Sequence, residues 1–318
     1  MFISVIIATR NRAPALARTL ESILTVANCE AADWELIVAD NGSSDNTAEV
    51  LQTLARRFPG RLWPLLELAA GKTRALNAGI AVARGDVLAM TDDDVIVEPE
   101  YLSAIREVFT NYRVDAVLGR VILDLEGPRP PWFNDYFARL MSWRDLGDEV
   151  CEFQEGITGS NMLVRASVIR DIGGFSTDIG PGRIGTFEDS EFHRRLRRAG
   201  YRSLYAPQIS VRHQVSMARL TPGYFARRAL ADGRSQAFIE PLPGRLWRFA
   251  AYIVKDLVAG YLTALWYTAT KQPGRAVQRR CEALQRAGFL LQHCRFGRNG
   301  PPKLNVPEIA MHGSRHAT

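Results

Sequence analysis

The chain opens with an apolar run, Phe2 to Ala8, that ends in the polar Thr9-Arg10-Asn11, after which Leu16, Leu20, Ile23 and Leu24 recur on one helical face. The same alternation continues for about 125 residues. Glu35 to Ala39 reads as a second strand; turn residues Asn41-Gly42-Ser43-Ser44 follow it, then a helix whose start is marked by Asn46 and Glu49. Leu62 to Leu66 is a weaker third strand, Lys72 to Ala83 a helix, and Val87 to Met90 a fourth strand. Pro99 precedes a helix carrying Leu102, Ile105 and Phe109, and Ala116 to Ile122 is another strand. Short β-branched runs separated by helical periodicity predict a mostly parallel sheet covered by helices.

Sheets of this kind bind ligands in the crevice beyond the carboxyl ends of their strands. Three of the strands end in polar groups: Thr9-Arg10-Asn11, Asp40-Asn41 and Asp92-Asp93-Asp94. Parallel strands bring those ends to one edge. The aspartate triplet sharpens the point, because adjacent carboxylates repel and resist leaving water unless a cation compensates them. Two readings stand for it, a solvated acidic turn before the Pro99 helix or a divalent-cation site built on oxygen ligands. Convergence with the other strand ends favours the second.

From residue 124 to 155 the periodicity lapses around "GPRPPWFNDYF", with Trp132, which is either a tethering loop or an acceptor-facing flap. "GSNMLV", with Ser160 and Asn161, and the turn "GGF" come next. In "FEDSEFHRRLRRAGY", Phe192, Leu196 and Ala199 line one helical face and place Glu188 and Asp189 in the first turn. An acidic first turn is also plain helix chemistry. "AAGKT" has the end of a phosphate loop, but Leu66 stands where its first glycine belongs.

Composition, 47% hydrophobic and 23% charged over 318 residues, is that of an ordinary globular protein with one large α/β domain and an appendage. Cys29, Cys151, Cys281 and Cys294 are scattered, which predicts free thiols in a reducing compartment. Phe2 to Ala8 has no basic residues before it, so it reads as a strand rather than a leader, and the expected location is cytoplasmic. Net charge splits unevenly: 16 Lys/Arg against 5 Asp/Glu from Arg219 onward is +11, and 24 against 29 before it is −5. An acidic body excludes a nucleic-acid groove, while a basic, apolar tail fits an anionic membrane surface or a subunit contact. Within it, "GRLWRFAAYIVKDLVAGYLTALWYTA" is interrupted by Arg248, Lys255 and Asp256, which argues against a spanning helix. It reads instead as an amphipathic helix that packs on protein or lies in the membrane interface with Trp247, Tyr252, Tyr261 and Trp266 at headgroup level.

Five blocks, "ISVIIATRNR", "LIVADNGSSDNTAEV", "LNAGIAVARGDVLAMTDDDV", "GSNMLVRASVIRDIGGF" and "EDSEFHRRLRRAGY", occur in the order and nearly the spacing of glycosyltransferase family 2, the inverting enzymes of GT-A fold, which the chain resembles over roughly residues 1 to 215. The resemblance implies a DxD motif at Asp92 and Asp94 holding Mn2+ or Mg2+ on a nucleotide-sugar diphosphate, with the cation offsetting the carboxylates' repulsion and Asp93 left to face solvent or donor. It implies a donor pocket of Thr9, Arg10, Asn11, Asp40 at the base, Lys72, Arg74 and Asn77, with Lys72 and Arg74 otherwise a solvated helix start. Asp189 matches the family's catalytic base, and His213 falls where some relatives place a third metal ligand. Trp132, Ser160, Asn161 and Glu188 are expected on the acceptor side.

The expected protein is therefore a metal-dependent inverting glycosyltransferase that moves a sugar, by family habit from a UDP donor, to a glycan or lipid-linked hydroxyl acceptor. The expected division is a catalytic unit over 1–218, with a donor half to 125 and an acceptor half from 126, then a basic helical extension over 219–300 and a flexible tail over 301–318. The rivals are a catalytically silent nucleotide-sugar-binding module and a sugar nucleotidyltransferase. Membrane-surface attachment at the inner face, or a homodimer, is the alternative pair of roles for the extension.

Overall fold

A computed structural model describes residues 1–27, 33–153, 156, 158–240, 246–297 and 300–311, without the side chains of 246–250, 252, 253 and 256. Cys29, Trp247 and Tyr252 therefore lie outside what is described, and Cys151, Cys281 and Cys294 are free thiols. In chain order the elements are β1 (Ile3–Thr9), α1 (Ala13–Ala27), β2 (Trp34–Asp40), α2 (Thr47–Arg57), β3 (Leu62–Leu66), α3 (Lys72–Val82), β4 (Val87–Thr91), β5 (Val95–Val97), α4 (Tyr101–Asn111), β6 (Ala116–Leu125), α5 (Asp135–Leu140), β7 (Cys151–Glu152), β8 (Asn161–Arg165), α6 (Ala166–Ile172), α7 (Glu188–Arg198), β9 (Ser203–Val215), α8 (Pro222–Ile239), α9 (Leu246–Ala269) and α10 (Pro273–Phe296).

One sheet runs in the order β3-β2-β1-β4-β8-β6-β9-β5, with β7 on β9. Its first four strands are parallel, as the alternation predicts; β8 then inserts antiparallel between β4 and β6, so the other half is mixed. Period-two alternation sorts the β1 side chains between two cores. Ile3, Val5 and Ile7 face α1, α2 and α4, while Ile6 and Ala8 face α3, α6 and α7. Pro64 sits on β3, an edge strand, where its missing N–H costs no ladder bond.

Two short elements escape periodicity because each is too brief to show one. β5 leaves the aspartate triplet and pairs antiparallel with β9, setting Val95 opposite His213. α5 forms within the proline-rich stretch, capped where the Asn134 side chain accepts from the Tyr136 N–H at 3.1 Å.

The extension folds as α8, α9 and α10. α8 and α10 cross closely at Gly233 and Gly288, where a Cβ on either would collide with a carbonyl of the other helix, that of Gln285 or of Leu230. Residues 301–311, expected as part of a flexible tail, lie against the catalytic unit. The Asn305 and Pro307 carbonyls accept from the Thr177 and Gly174 N–H groups at 3.0 Å, and Ile309 and Met311 pack against the core beneath α3. Residues 312–318 lie outside the described chain. Among the described residues no helix is long and apolar enough to cross a membrane.

Candidate active site

A cavity of about 530 Å³ opens at the carboxyl ends of the parallel strands, where the topology predicts it. Its walls include Thr9 at the end of β1, Arg10 and Arg12 after it, Lys72 at the start of α3, Asp92, Asp93 and Asp94 after β4, Ser160 before β8, Glu188 and Asp189 in the first turn of α7, and His213 on β9. Ten residues nominated from sequence are thus brought to one space: Thr9, Arg10, Lys72, Asp92, Asp93, Asp94, Ser160, Glu188, Asp189 and His213.

Each member of the triplet has its own partners. Asp92 accepts from Lys72 Nζ at 2.6 Å and Ser160 Oγ at 2.5 Å. Asp93 accepts from Thr9 Oγ1 at 2.7 Å and Arg12 Nη1 at 2.9 Å. Asp94 Oδ2 is paired with Arg12 Nη2 at 2.9 Å and Arg219 Nη1 at 3.0 Å, and Asp94 Oδ1 lies 3.2 Å from His213 Nε2. Lys72, Arg12 and Arg219 offset part of the carboxylates' repulsion within the chain, beside the divalent cation that the family resemblance implies. Asp93 does not face solvent; it is buried, because its two oxygens are taken by β1 and the turn after it.

The balance differs among them. Burial raises the Asp93 carboxyl to about 6 against the pull of Arg12. Burial acts on Asp94 too, yet His213, Arg12 and Arg219 together hold it well below the usual range. Lys72 is half-buried, and Asp92 and Glu188 raise it against the pull of desolvation and keep it cationic. Glu188, 3.7 Å from Lys72, is pushed up to about 7, chiefly by burial. The Asp189 carboxylate is fixed by backbone, accepting from the Gly159 N–H at 3.0 Å and the Ser190 N–H at 2.7 Å.

The three-ligand set Asp92, Asp94 and His213 is not assembled. Among the described residues no three acidic, histidine or cysteine side chains gather around one point, and Asp92 is turned to Lys72 and Ser160. The pair Asp94 and His213 does fit a cation. His213 Nδ1 lies 2.8 Å from the Met141 carbonyl, an acceptor, so that nitrogen carries a proton. In the neutral ring Nε2 then presents a lone pair to Asp94 Oδ1, a buried oxygen without a hydrogen bond. A protonated ring pairs with Asp94 and holds its carboxyl down; in the neutral ring the two acceptors, 3.2 Å apart, span about the edge of an octahedral cation shell with bonds near 2.1 Å. The remaining positions are left for ligand oxygens.

Six nominations fall elsewhere. Asp40 closes its own turn, accepting from Ser43 N at 2.9 Å and Ser43 Oγ at 2.5 Å. Asn11 Oδ1 accepts from Ser44 N at 2.7 Å, which ties the β1 and β2 loops together. Arg74 follows Lys72 by two positions, about 200° around a helix, and so does not share its wall. Asn77 is a clasp: its side chain makes two 2.8 Å bonds to the Phe175 backbone. Trp132 packs edge-on against Phe137 and Phe225, with centroids 5.1 and 5.8 Å away, and joins α5 to α8. The proline-rich segment does reach the cavity, but through Arg139, Leu140, Ser142 and Arg144.

Asn161 is fully buried, donating to the Arg120 carbonyl at 3.0 Å and the Ile209 carbonyl at 2.9 Å, with Tyr101 Oη 3.2 Å from its Oδ1. It bridges β8, β6 and β9 rather than touching an acceptor. Asn161→Ala is expected to cost about 2–4 kcal/mol of stability by orphaning those groups, while nucleotide affinity in the folded fraction is unchanged. Denaturant melts and titrations of the same sample check both; unchanged stability would restore Asn161 to the surface of the site.

Sequence patterns missed Arg12, Arg219, Arg228 and Asp232. Arg12 stands next to the nominated Thr9-Arg10-Asn11, so its signal was present. The other three lie in the extension, where Asp232 accepts from Thr186 Oγ1 at 2.6 Å and pairs with Arg228 at 3.4 Å. Nothing in their spacing marks them, and the fold alone delivers them.

The model of Glycosyl transferase family 2 matches residues 4–173. The succinoglycan biosynthesis protein ExoM of Rhizobium meliloti is 26% identical over 315 residues, 96% of this chain and 94% of its own. A glucosyl-dolichyl phosphate glucuronosyltransferase of Haloferax volcanii is 25% identical over 212 residues, 65% of this chain and 67% of that protein. An uncharacterized glycosyltransferase of Nostoc sp. is 36% identical over 118 residues, 37% of this chain and about a third (36%) of that relative's length. Among solved structures, the mannosyltransferase PcManGT from Pyrobaculum calidifontis, in complex with GDP-Man and Mn2+, shares the fold with a TM-score of 0.62 at 20% identity, over 91% of this chain and 86% of that one.

Proposed function

The chain belongs to glycosyltransferase family 2 and has the GT-A fold, and from that premise we propose that it transfers a sugar from a nucleotide-diphosphate donor to a hydroxyl acceptor with inversion. The observation that carries the reading is the arrangement of one cavity, in which a backbone-fixed Asp189 shares the space with Asp94, His213 and the cations Lys72, Arg12 and Arg219. Inversion needs one base and no enzyme nucleophile. Asp189 takes the acceptor hydroxyl's proton while that oxygen forms its bond to the anomeric carbon and the bond to the diphosphate breaks on the opposite face. The Gly159 and Ser190 N–H groups orient the carboxylate and leave lone pairs for that proton.

Asp94 and His213 would hold Mn2+ or Mg2+, which when bound neutralises charge gathering on the departing diphosphate. Lys72, held between Asp92 and Glu188, supports the same charge from the chain. Glu188, beside both Lys72 and Asp189, and Ser160 stand toward the acceptor. A glycan or lipid-linked saccharide is the proposed acceptor class, supported by the near full-length likeness to a succinoglycan biosynthesis protein and by the dolichyl-phosphate-linked relative. UDP-sugars are the first donors to test by the habit of the family.

Titration with UDP-, GDP- and dTDP-sugars in Mn2+ and in Mg2+ is expected to show saturable binding or slow donor hydrolysis with at least one. Binding to none of them overturns the reading. Release of pyrophosphate from a nucleoside triphosphate and a sugar phosphate would instead make the protein a nucleotidyltransferase. Binding without transfer, indifferent to Asp189→Asn, would make it a silent module.

A further inference from the structure

α9 is divided lengthwise. On one side Gly260 and Ala264 pack toward α10, where a Cβ on Gly260 would already stand 3.3 Å from that of Ala283. On the other, Val254, Val258, Tyr261, Leu262, Leu265 and Trp266 project into solvent, from 48% exposed at Tyr261 to 61% at Leu262. Their spacing of three, four and seven places them on one continuous stripe rather than scattered singly. Lys255 stands exposed at its edge, where a long side chain keeps its charge in water beside apolar surface.

Charge around the α9–α10 turn is mostly basic, with Glu282 paired to Arg279 at 2.8 Å and Asp256 falling earlier in α9. From Leu257 to Cys281 the sequence contains no Asp or Glu, while Lys271, Arg275, Arg279 and Arg280 are exposed around the turn from α9 to α10. Trp266 and Tyr267 meet edge-on beside that turn with centroids 5.0 Å apart, and the Arg275 guanidinium lies 5.7 Å from the Tyr267 ring. At the opposite end of α9, Arg248 falls within the first turn of the helix. A second copy seated here would set basic ends against basic ends whichever way the two helices ran. An anionic lipid surface complements the charge and accepts the apolar stripe together.

We propose that α9 lies in the plane of an anionic membrane, its exposed stripe inserted among the acyl chains and the α9–α10 turn held against lipid headgroups. The surface is separate from the catalytic cavity and does not depend on which sugar is transferred. It would hold the enzyme where an acceptor with a lipid anchor is found.

Flotation of the full-length protein tests it, with vesicles of phosphatidylcholine alone and with about a third phosphatidylglycerol. The protein is expected to float with the anionic vesicles, to stay behind with the neutral ones, and to lose at least tenfold in vesicle affinity when salt rises to about 0.5 M. Val258→Ser/Leu262→Ser/Leu265→Ser is expected to weaken anionic-vesicle binding at least tenfold, as is Arg275→Glu/Arg280→Glu, both with unchanged nucleotide-sugar affinity as the sign of an intact fold. Failure to float with anionic vesicles overturns the proposal. So does a stable dimer in sedimentation that the triple serine variant splits, which would assign the stripe to a second copy.

Discussion

Replacing Asp189 with asparagine is expected to lower sugar transfer by roughly 10²–10⁴-fold, the usual weight of a positioned general base, while the donor dissociation constant changes little. Asparagine has nearly the shape of aspartate and keeps one oxygen to accept from the Gly159 N–H, 3.0 Å away in the parent. It has no lone-pair oxygen of carboxylate basicity to take a proton. Donor binding draws on other groups, Lys72, Asp94 and His213, so the two effects separate. Transfer rates at saturating donor, beside calorimetric donor titrations of both proteins, measure the separation. A variant that still transfers at the parental rate would remove Asp189 from the chemistry, and one that loses donor binding as well would make it part of the donor pocket.

Asp94→Ala is expected to abolish metal-dependent donor binding, with a loss of at least a hundredfold in affinity and a residue that no longer responds to Mn2+, Mg2+ or chelator. The substitution removes the oxygen that faces His213 Nε2 and leaves Arg12 and Arg219 without the carboxylate they share. Arg12 keeps its ion pair with Asp93, but Arg219, half-buried, loses its carboxylate, so Asp94→Asn is the companion variant; it retains the volume and one acceptor for the arginines, and has lost the charge. Both variants should behave alike toward metal even where the alanine protein is less stable. Donor binding by Asp94→Asn that still rises with Mn2+ as in the parent would place the cation elsewhere.

Much of this site was readable because sheet topology makes it local. A strand that ends in polar residues can lead to only one edge, so Thr9, Arg10 and the aspartate triplet were gathered before any coordinates. Lys72 and Asp189 were legible through the family resemblance, because a basic or acidic residue in a first helical turn is by itself ordinary helix chemistry. Asp40 and Asn11 show what the letters leave open, because a position at a strand end serves either a ligand or the closing of a turn, and Ser43 and Ser44 take both side chains here. Asn77 and Asn161 show the same: an amide that satisfies buried backbone looks, as a letter, like one that faces substrate. In the tail the charge pattern was visible, but which side of α9 stayed uncovered was not, because apolar residues are distributed around much of the helix and α10 chooses the side it buries.

The sequence by itself determined the alternation of the longer strands and helices through β6, the edge of the sheet at which polar groups meet, and the family, because hydrophobic period, turn residues and motif blocks are written in neighbouring positions. Tertiary structure alone decided how the charges pair. Arg219 reaches Asp94 across 125 positions because β5 turns back from the triplet to pair with β9, which sets His213 beside it and leads the chain into the turn that carries the arginine. Likewise the close crossing of α8 and α10 at two glycines holds α8 over the cavity with Arg228 and Asp232 in its wall. Coulomb interactions and packing act on distances in space, and nothing in the linear spacing of those residues encodes the distances at which they meet.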